Sequence, residues 1–264
     1  MTRPLGFCSI SALDRPLEEA ARMAVDAGCD GLEVTARPPH LDPSDDLERI
    51  REIGRALRDA GAPVIAYGSY FGRERPLVSA DGVRAAEIAA ALGTSRLRVW
   101  AECEPDEDPT AIAAVFQTTC DAAADRGVDV LAERHLGSLA DTPERIETLL
   151  GQVDRGNFAL NYQVLDFLPP EAVPDQAADA TRLVKHARYF HLKNYQANPD
   201  GGPLLPGGSL EDGVLDYREI LAAALGAGYE GPLTIEFLSF DSRPIEERLA
   251  ADVAFVRGVL AGLS

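Results

Sequence analysis

The chain has 264 residues, 46% of them hydrophobic, which is ample for a core, and a formal net charge of −18. That balance leaves no basic stripe to neutralise phosphates and so excludes a nucleic-acid partner; it is equally unsuited to an anionic membrane surface. No apolar run approaches a membrane span, MTRPLGFCSIS lacks the apolar stretch of a secretory signal, and the four cysteines (Cys8, Cys29, Cys103, Cys120) form no CxxC pair, so a cytoplasmic chain with reduced thiols and no membrane contact is expected.

Short β-rich runs alternate with longer helical patterns along the whole length. The strand candidates, in order, are LGFCSIS from Leu5, GLEVTA from Gly31, PVIAYGSY from Pro63 and RLRVWA from Arg96. DVLAERH from Asp129, FALNYQ from Phe158, YFHLKN from Tyr189 and PLTIEF from Pro232 complete the set. Between them, apolar residues recur at three-to-four spacing. LEEAARMAVDAG, LERIREIGRALRDAG, VRAAEIAAALG and IAAVFQTTCDAAADRG each end at a glycine, as a helix C-terminus often does. PERIETLLGQV, residues 176–187, YREILAAALGAG and a last helix from about Pro244 follow. Thr142-Pro143-Glu144 and the 42–46 stretch (Asp-Pro-Ser-Asp-Asp) read as helix starts, with a capping oxygen followed by proline.

Eight strand–helix units at a spacing of roughly 33 residues close a barrel without edges. The expected architecture is a single (β/α)8 TIM barrel over residues 1–264. A doubly wound open sheet would show a glycine-rich phosphate turn after its first strand, where this chain has ISALDRP. Residues 196–212 are rich in Gly, Pro and Asp; on the catalytic side of a barrel such a segment reads as a lid or substrate loop.

Barrel active sites lie at the C-terminal ends of the strands, so residues far apart in sequence converge there. Glu133 in VLAERH and Glu236 in LTIEF are acidic residues inside apolar strands, and His191 occupies the matching position in YFHLKN. Buried carboxylates need a partner or a metal. Arg98 or Lys193 could serve either as a salt bridge, but two glutamates and an imidazole at equivalent strand ends point to a shared site able to hold a divalent ion and move protons. In FALNYQ the corresponding place holds an amide, Asn161 or Gln163, which share a face; spacing alone does not choose between them. Lys193 shares a face with His191, and His135 with Glu133, so both are candidate pocket residues. Tyr67, Arg98, Trp100 and Gln163 complete the candidate substrate-binding set, aromatic faces and planar polar groups being suited to polyols. Glu33 is read either as a site residue or as a structural partner of Arg98.

DGLEV at 30–34, LRVWAE at 97–102, LAERH at 131–135, FHLKN at 190–194 and the run GVLDYREILAAALGAGYEGPLTIEF at 213–237 resemble the xylose isomerase-like TIM barrels, a group of sugar isomerases and epimerases. The resemblance covers nearly the whole chain. It implies that a Glu, an Asp, a His and a Glu on the last four barrel strands hold Mn²⁺ or Mg²⁺, the two glutamates also acting as acid and base. Carried over, these roles fall on Glu133, His191 and Glu236. The family's Asp, with a His three residues later, falls on Asn161 and Val164, so one ligand charge and one imidazole are missing. An amide oxygen can ligate such ions, but more weakly.

The expected function is therefore metal-dependent isomerisation or epimerisation of a sugar, ketose or related polyhydroxy carbonyl compound through an enediolate. The alternatives are a lyase (dehydration or β-elimination on a keto-sugar or keto-inositol) and a non-catalytic sugar-binding barrel. A small polyhydroxy molecule is the expected partner, and a homodimer is the expectation for the family. A DNA-repair nuclease on the same barrel would need more ligands and a basic face.

Overall fold

The computed structural model describes residues 3–165, 168–237 and 243–263. Eight parallel strands close a barrel: β1 (Leu5–Cys8), β2 (Gly31–Thr35), β3 (Val64–Gly68), β4 (Arg96–Val99), β5 (Asp129–Glu133), β6 (Phe158–Tyr162), β7 (Ala187–Leu192) and β10 (Leu233–Ile235). Each pairs with the next in sequence, and β10 returns to β1. The ring is sheathed by α1 (Leu17–Asp26), α2 (Leu47–Asp59), α3 (Ser79–Leu92), α4 (Pro109–Ala124), α5 (Pro143–Val153), α6 (Gln176–Leu183), α7 (Tyr217–Gly226) and α8 (Ile245–Gly262). The expected (β/α)8 architecture is what the chain adopts. Among the described residues no helix is long and apolar enough to cross a membrane.

Alternation along each strand sorts side chains into two layers. Leu97, Val99, Val130, Ala132, Phe190, Leu192, Leu233 and Ile235 point outward into the apolar layer beneath the helices. Ala66, Leu131, Ala159 and Tyr189 face inward as a separate buried plug, closed by the Tyr189 hydroxyl 2.6 Å from Thr234 Oγ1. The plug makes the barrel a packed core with room for chemistry only above it.

Local chemistry sets the helix ends. The Thr142 hydroxyl accepts from the Arg145 amide at 3.4 Å with Pro143 behind it, as its sequence suggests. In the 42–46 stretch, by contrast, the cap is Asp46, which accepts from Arg49 N at 2.9 Å, while Asp42 closes a local turn onto Ser44 N. Pro43 therefore precedes the helix rather than opening it. Asp108 caps α4 ahead of Pro109, four residues before the apolar periodicity becomes visible at Ile112. The 176–187 stretch tightens to a 3₁₀ turn at Val184–His186, and β7 begins at Ala187, because Ala187 already pairs with Leu160.

The segment expected to be a loop, 196–212, begins at the end of β8 (Asn194–Gln196) and contains β9 (Leu205–Gly208), which pairs with β8 antiparallel on the C-terminal rim. It is tied to α8: Arg248 Nη1 donates to Gly207 O at 2.7 Å and Nη2 to Gly208 O at 2.6 Å, while Asp252 Oδ1 accepts from Leu210 N at 2.9 Å. Gly72, with φ of +89°, packs so closely on the Trp100 carbonyl that no side chain fits there. That approach fixes the rim after β3 against the end of β4.

Candidate active site

Above the plug lies a cavity of about 330 Å³ lined by Tyr70, Arg73, Arg98, Trp100, Glu133, His135, Lys193 and Glu236, with Tyr195, Pro206 and Gly207 of the hairpin as one wall. Glu133 and Glu236 line it, and ligand atoms of Glu133, His191 and Glu236 all lie within 4.8 Å of one another. Residues over a hundred positions apart meet because each sits at or just beyond the C-terminal end of an inward-facing strand register.

Three carboxylates and three cationic side chains make up the floor. His191 Nε2 lies 2.6 Å from Glu33 Oε2, and Nδ1 lies 3.5 Å from Glu236 Oε2. Arg98 Nε lies 3.0 Å from Glu133 Oε2 and 3.5 Å from Glu33 Oε1, and Nη1 donates to Ser69 O at 2.9 Å. Lys193 Nζ lies 3.4 Å from Glu236 Oε2. Both salt bridges that the sequence allowed are thus present inside the shared site. The near balance of charge is what permits burial, since an unpaired ion at such depth would be very costly.

The electrostatics follow from these contacts. Burial works to neutralise Glu236, but Lys193, His191 and Arg98 outweigh it and hold the carboxyl well below its ordinary range. Burial likewise opposes the charge on Glu33, and His191 and Arg98 keep it ionised. Burial alone would lower the His191 imidazole, yet Glu33 and Glu236 raise it to about 10. The Cys8 thiol, whose Sγ is 3.9 Å from Glu236 Oε1, is pushed up by burial and then by Glu33 and Glu236. It is a neutral neighbour, not a nucleophile.

The two amides of β6 divide the roles that spacing left open. Asn161 lies beside the imidazole, Nδ2 being 3.3 Å from His191 Nδ1, and its buried Oδ1 has no hydrogen-bond partner. Gln163 donates from Nε2 to Glu133 Oε1 at 3.1 Å and also to Arg134 O. Gln163 therefore contacts a carboxylate, while Asn161 contacts the imidazole. A half-turn of its side chain would put Oδ1 beside Nδ1.

The other sequence candidates separate cleanly. Trp100 and His135 both line the cavity, ring centroids 4.9 Å apart and edge-to-face, and Lys193 and Arg98 line it as well. Tyr67 does not line this cavity. Its ring is buried in the layer beneath the helices and faces a different cavity, lined by Ala36, Pro43, Phe71 and Arg84. The cause is an irregularity of register: Leu32 pairs with Val64 but Glu33 with Ala66, so the strand gains a residue and Tyr67 turns outward. Not foreseen as lining the cavity were Arg73, whose guanidinium is 4.5 Å from the Trp100 ring centre, and Tyr195. Pro206 and Gly207 come from the 196–212 segment expected as a lid or substrate loop. Arg73 follows the GSYFG turn, a signal that was available.

Residues 21–259 match the model of the xylose isomerase-like TIM barrel family. The chain belongs to that family. Among curated relatives, an inosose dehydratase of Geobacillus thermodenitrificans (strain NG80-2) is 26% identical over 132 residues, a match spanning 44% of this chain and 42% of that protein. Solved structures share the fold at low identity. A xylose isomerase-like TIM barrel protein from Mycobacterium smegmatis in complex with magnesium has a TM-score of 0.76 at 19% identity, covering 100% of this chain and 98% of that one. The probable 3-DHS dehydratase of Bacillus anthracis gives 0.74 at 19%, over 96% and 98%. An L-ribulose 3-epimerase gives 0.73 at 18%, over 100% and 96%. Epimerases and dehydratases both occur on this barrel, and the fold alone does not choose between them.

Proposed function

We propose that this family member is an isomerase or epimerase that moves a proton at the carbon next to a carbonyl in a small sugar, ketose or keto-inositol. The observation carrying this reading is that Glu133 and Glu236 line one cavity with carboxylate oxygens within 4.8 Å of each other and of His191. The donor set fits a divalent cation: two carboxylates and one imidazole nitrogen converge, and the unpartnered Asn161 Oδ1 adjoins them. Mn²⁺ or Mg²⁺ held there would supply Lewis-acid polarisation of the substrate carbonyl.

The protein's own groups do the rest. Glu236 takes the proton, its carboxylate kept ionised by Lys193 and His191. Glu133, hydrogen-bonded by Gln163 on one oxygen and ion-paired with Arg98 on the other, returns a proton drawn from solvent at a defined position, and Glu236 releases the one it took to solvent. The Trp100–His135 wall and the hairpin limit water above the reacting carbon.

Dehydration is the second reading. Lys193 lies 3.4 Å from Glu236 and lines the same cavity, where its ammonium could protonate a departing hydroxyl after the same first step. Incubation with ketoses and keto-inositols in D₂O with Mn²⁺ tests both. One deuteron at a substrate carbon without loss of mass supports isomerisation or epimerisation, whereas loss of water with a new C=C absorbance supports the lyase. Glu133→Gln and Glu236→Gln should each abolish turnover. Retention of more than about a tenth of the rate by either, a barrier change under about 1.4 kcal/mol, overturns the two-carboxylate mechanism.

A further inference from the structure

We infer that Glu33, which is not one of the converging ligands, is the positioning residue of this centre: it accepts the Nε2 proton of His191 and so aims the Nδ1 lone pair at the ion, and Arg98 ties it to Glu133. The inference rests on the metal reading above and deepens it.

Of the two imidazole nitrogens, Nε2 has the close partner, Glu33 Oε2 at 2.6 Å, while Nδ1 is 3.5 Å from Glu236 Oε2 and 3.3 Å from Asn161 Nδ2. An imidazole that binds an ion gives up one of its two protons, and the one it keeps stays on the nitrogen with the stronger acceptor. That leaves Nδ1 bare on the side where Glu236 and Asn161 lie. A carboxylate behind a ligating histidine fixes its tautomer and ring angle and raises its basicity.

Glu33 is well made for this role. It is completely buried on β2, inside the barrel. Arg98 Nε stands 3.5 Å from its Oε1 and 3.0 Å from Glu133 Oε2, so one guanidinium holds the orienting carboxylate and a ligand carboxylate in register across the barrel. The arrangement also bears on the anomaly of β6. With Asn161 where the resemblance expects a carboxylate, the ligand set carries one negative charge fewer. A more basic His191 offsets part of that loss.

The test is Mn²⁺ titration of the whole chain, with free Mn²⁺ read by electron paramagnetic resonance, on wild type, Glu33→Met and Glu33→Gln. Glu33→Met should weaken binding by about 10–100-fold. Glu33→Gln should lose less, because its amide oxygen still accepts the Nε2 proton although the charge is gone. Long-range ¹⁵N–¹H spectra of Zn²⁺-loaded wild type should show His191 protonated at Nε2 and metal-shifted at Nδ1, and this readout does not depend on any variant folding. Unchanged Mn²⁺ affinity in a folded Glu33→Met, or a metal-shifted Nε2, overturns the role of Glu33 while leaving the metal reading intact. Failure of wild type to bind Mn²⁺ or Zn²⁺ overturns both.

Discussion

Gly68 stands where any side chain would strike Glu33: a Cβ at this position would lie 2.5 Å from Glu33 Oε1 and 2.9 Å from Arg98 Nη2. The glycine at the end of β3 is the space into which the buried ion pair fits. Gly68→Ala should therefore destabilise the fold by about 1–3 kcal/mol, as overpacking of a dense interior does. Urea unfolding followed by circular dichroism measures it, and an unchanged midpoint would show that the pair has slack to move.

Asn161→Asp adds a carboxylate at almost constant size beside His191 and within a cluster that already holds three. The metal-free variant should melt lower than wild type through like-charge repulsion, and Mn²⁺ should raise its melting temperature by more than it raises that of wild type. Calorimetric titration with Mn²⁺ should show tighter binding. Equal affinity for both proteins would mean that position 161 does not face the ion.

The hairpin wall depends on Arg248. Its guanidinium serves two carbonyls of β9, Gly207 O and Gly208 O. Arg248→Met leaves both without this donor, at a cost of about 1–3 kcal/mol. Hydrogen exchange at residues 204–208 should speed up well before that of the barrel strands. If the whole chain loosens together, the hairpin is an integral part of the core rather than a separately pinned wall.

Thiol reactivity offers a check on burial. Burial pushes the Cys29 and Cys120 thiols up to about 12, and Cys8 is raised as well. Because the thiolate is the nucleophile, none of these three should alkylate with iodoacetamide at pH 8 in the native protein. Cys103 is partly exposed and its thiol is raised by burial and Glu107, so it should label slowly and alone. Mass spectrometry should then find one adduct in the native protein and four in urea; rapid native labelling of Cys120 would contradict the packing of α4.

Tyr67→Phe should leave turnover and Mn²⁺ affinity within about twofold of wild type, since its ring lies outside the barrel wall. A loss of tenfold or more on the substrate that wild type turns over would return Tyr67 to the site.

Much of this molecule is written locally. Apolar runs of four to six residues, glycines after helices and oxygen caps before them are properties of neighbouring positions, and they suffice for eight units and hence a closed barrel. Glu133, His191 and Glu236 were legible for the same reason: a charged or imidazole group at an inward strand end must have a buried purpose, whatever its partners are. Partner identity is another matter. Glu33 meets His191 across 158 positions, and Arg98 faces two glutamates on different strands, because ring closure brings β2, β4, β5 and β7 together above one plug. Tyr67, read as a strand-end aromatic, faces away from the cavity because the register of β3 shifts between Val64 and Ala66, a break that the sequence does not mark. The different contacts of Asn161 and Gln163 were likewise beyond reach, since two residues on one strand face differ only in height above the plug. Local physics determines which way a side chain points; only closure of the barrel, in three dimensions, decides what it meets.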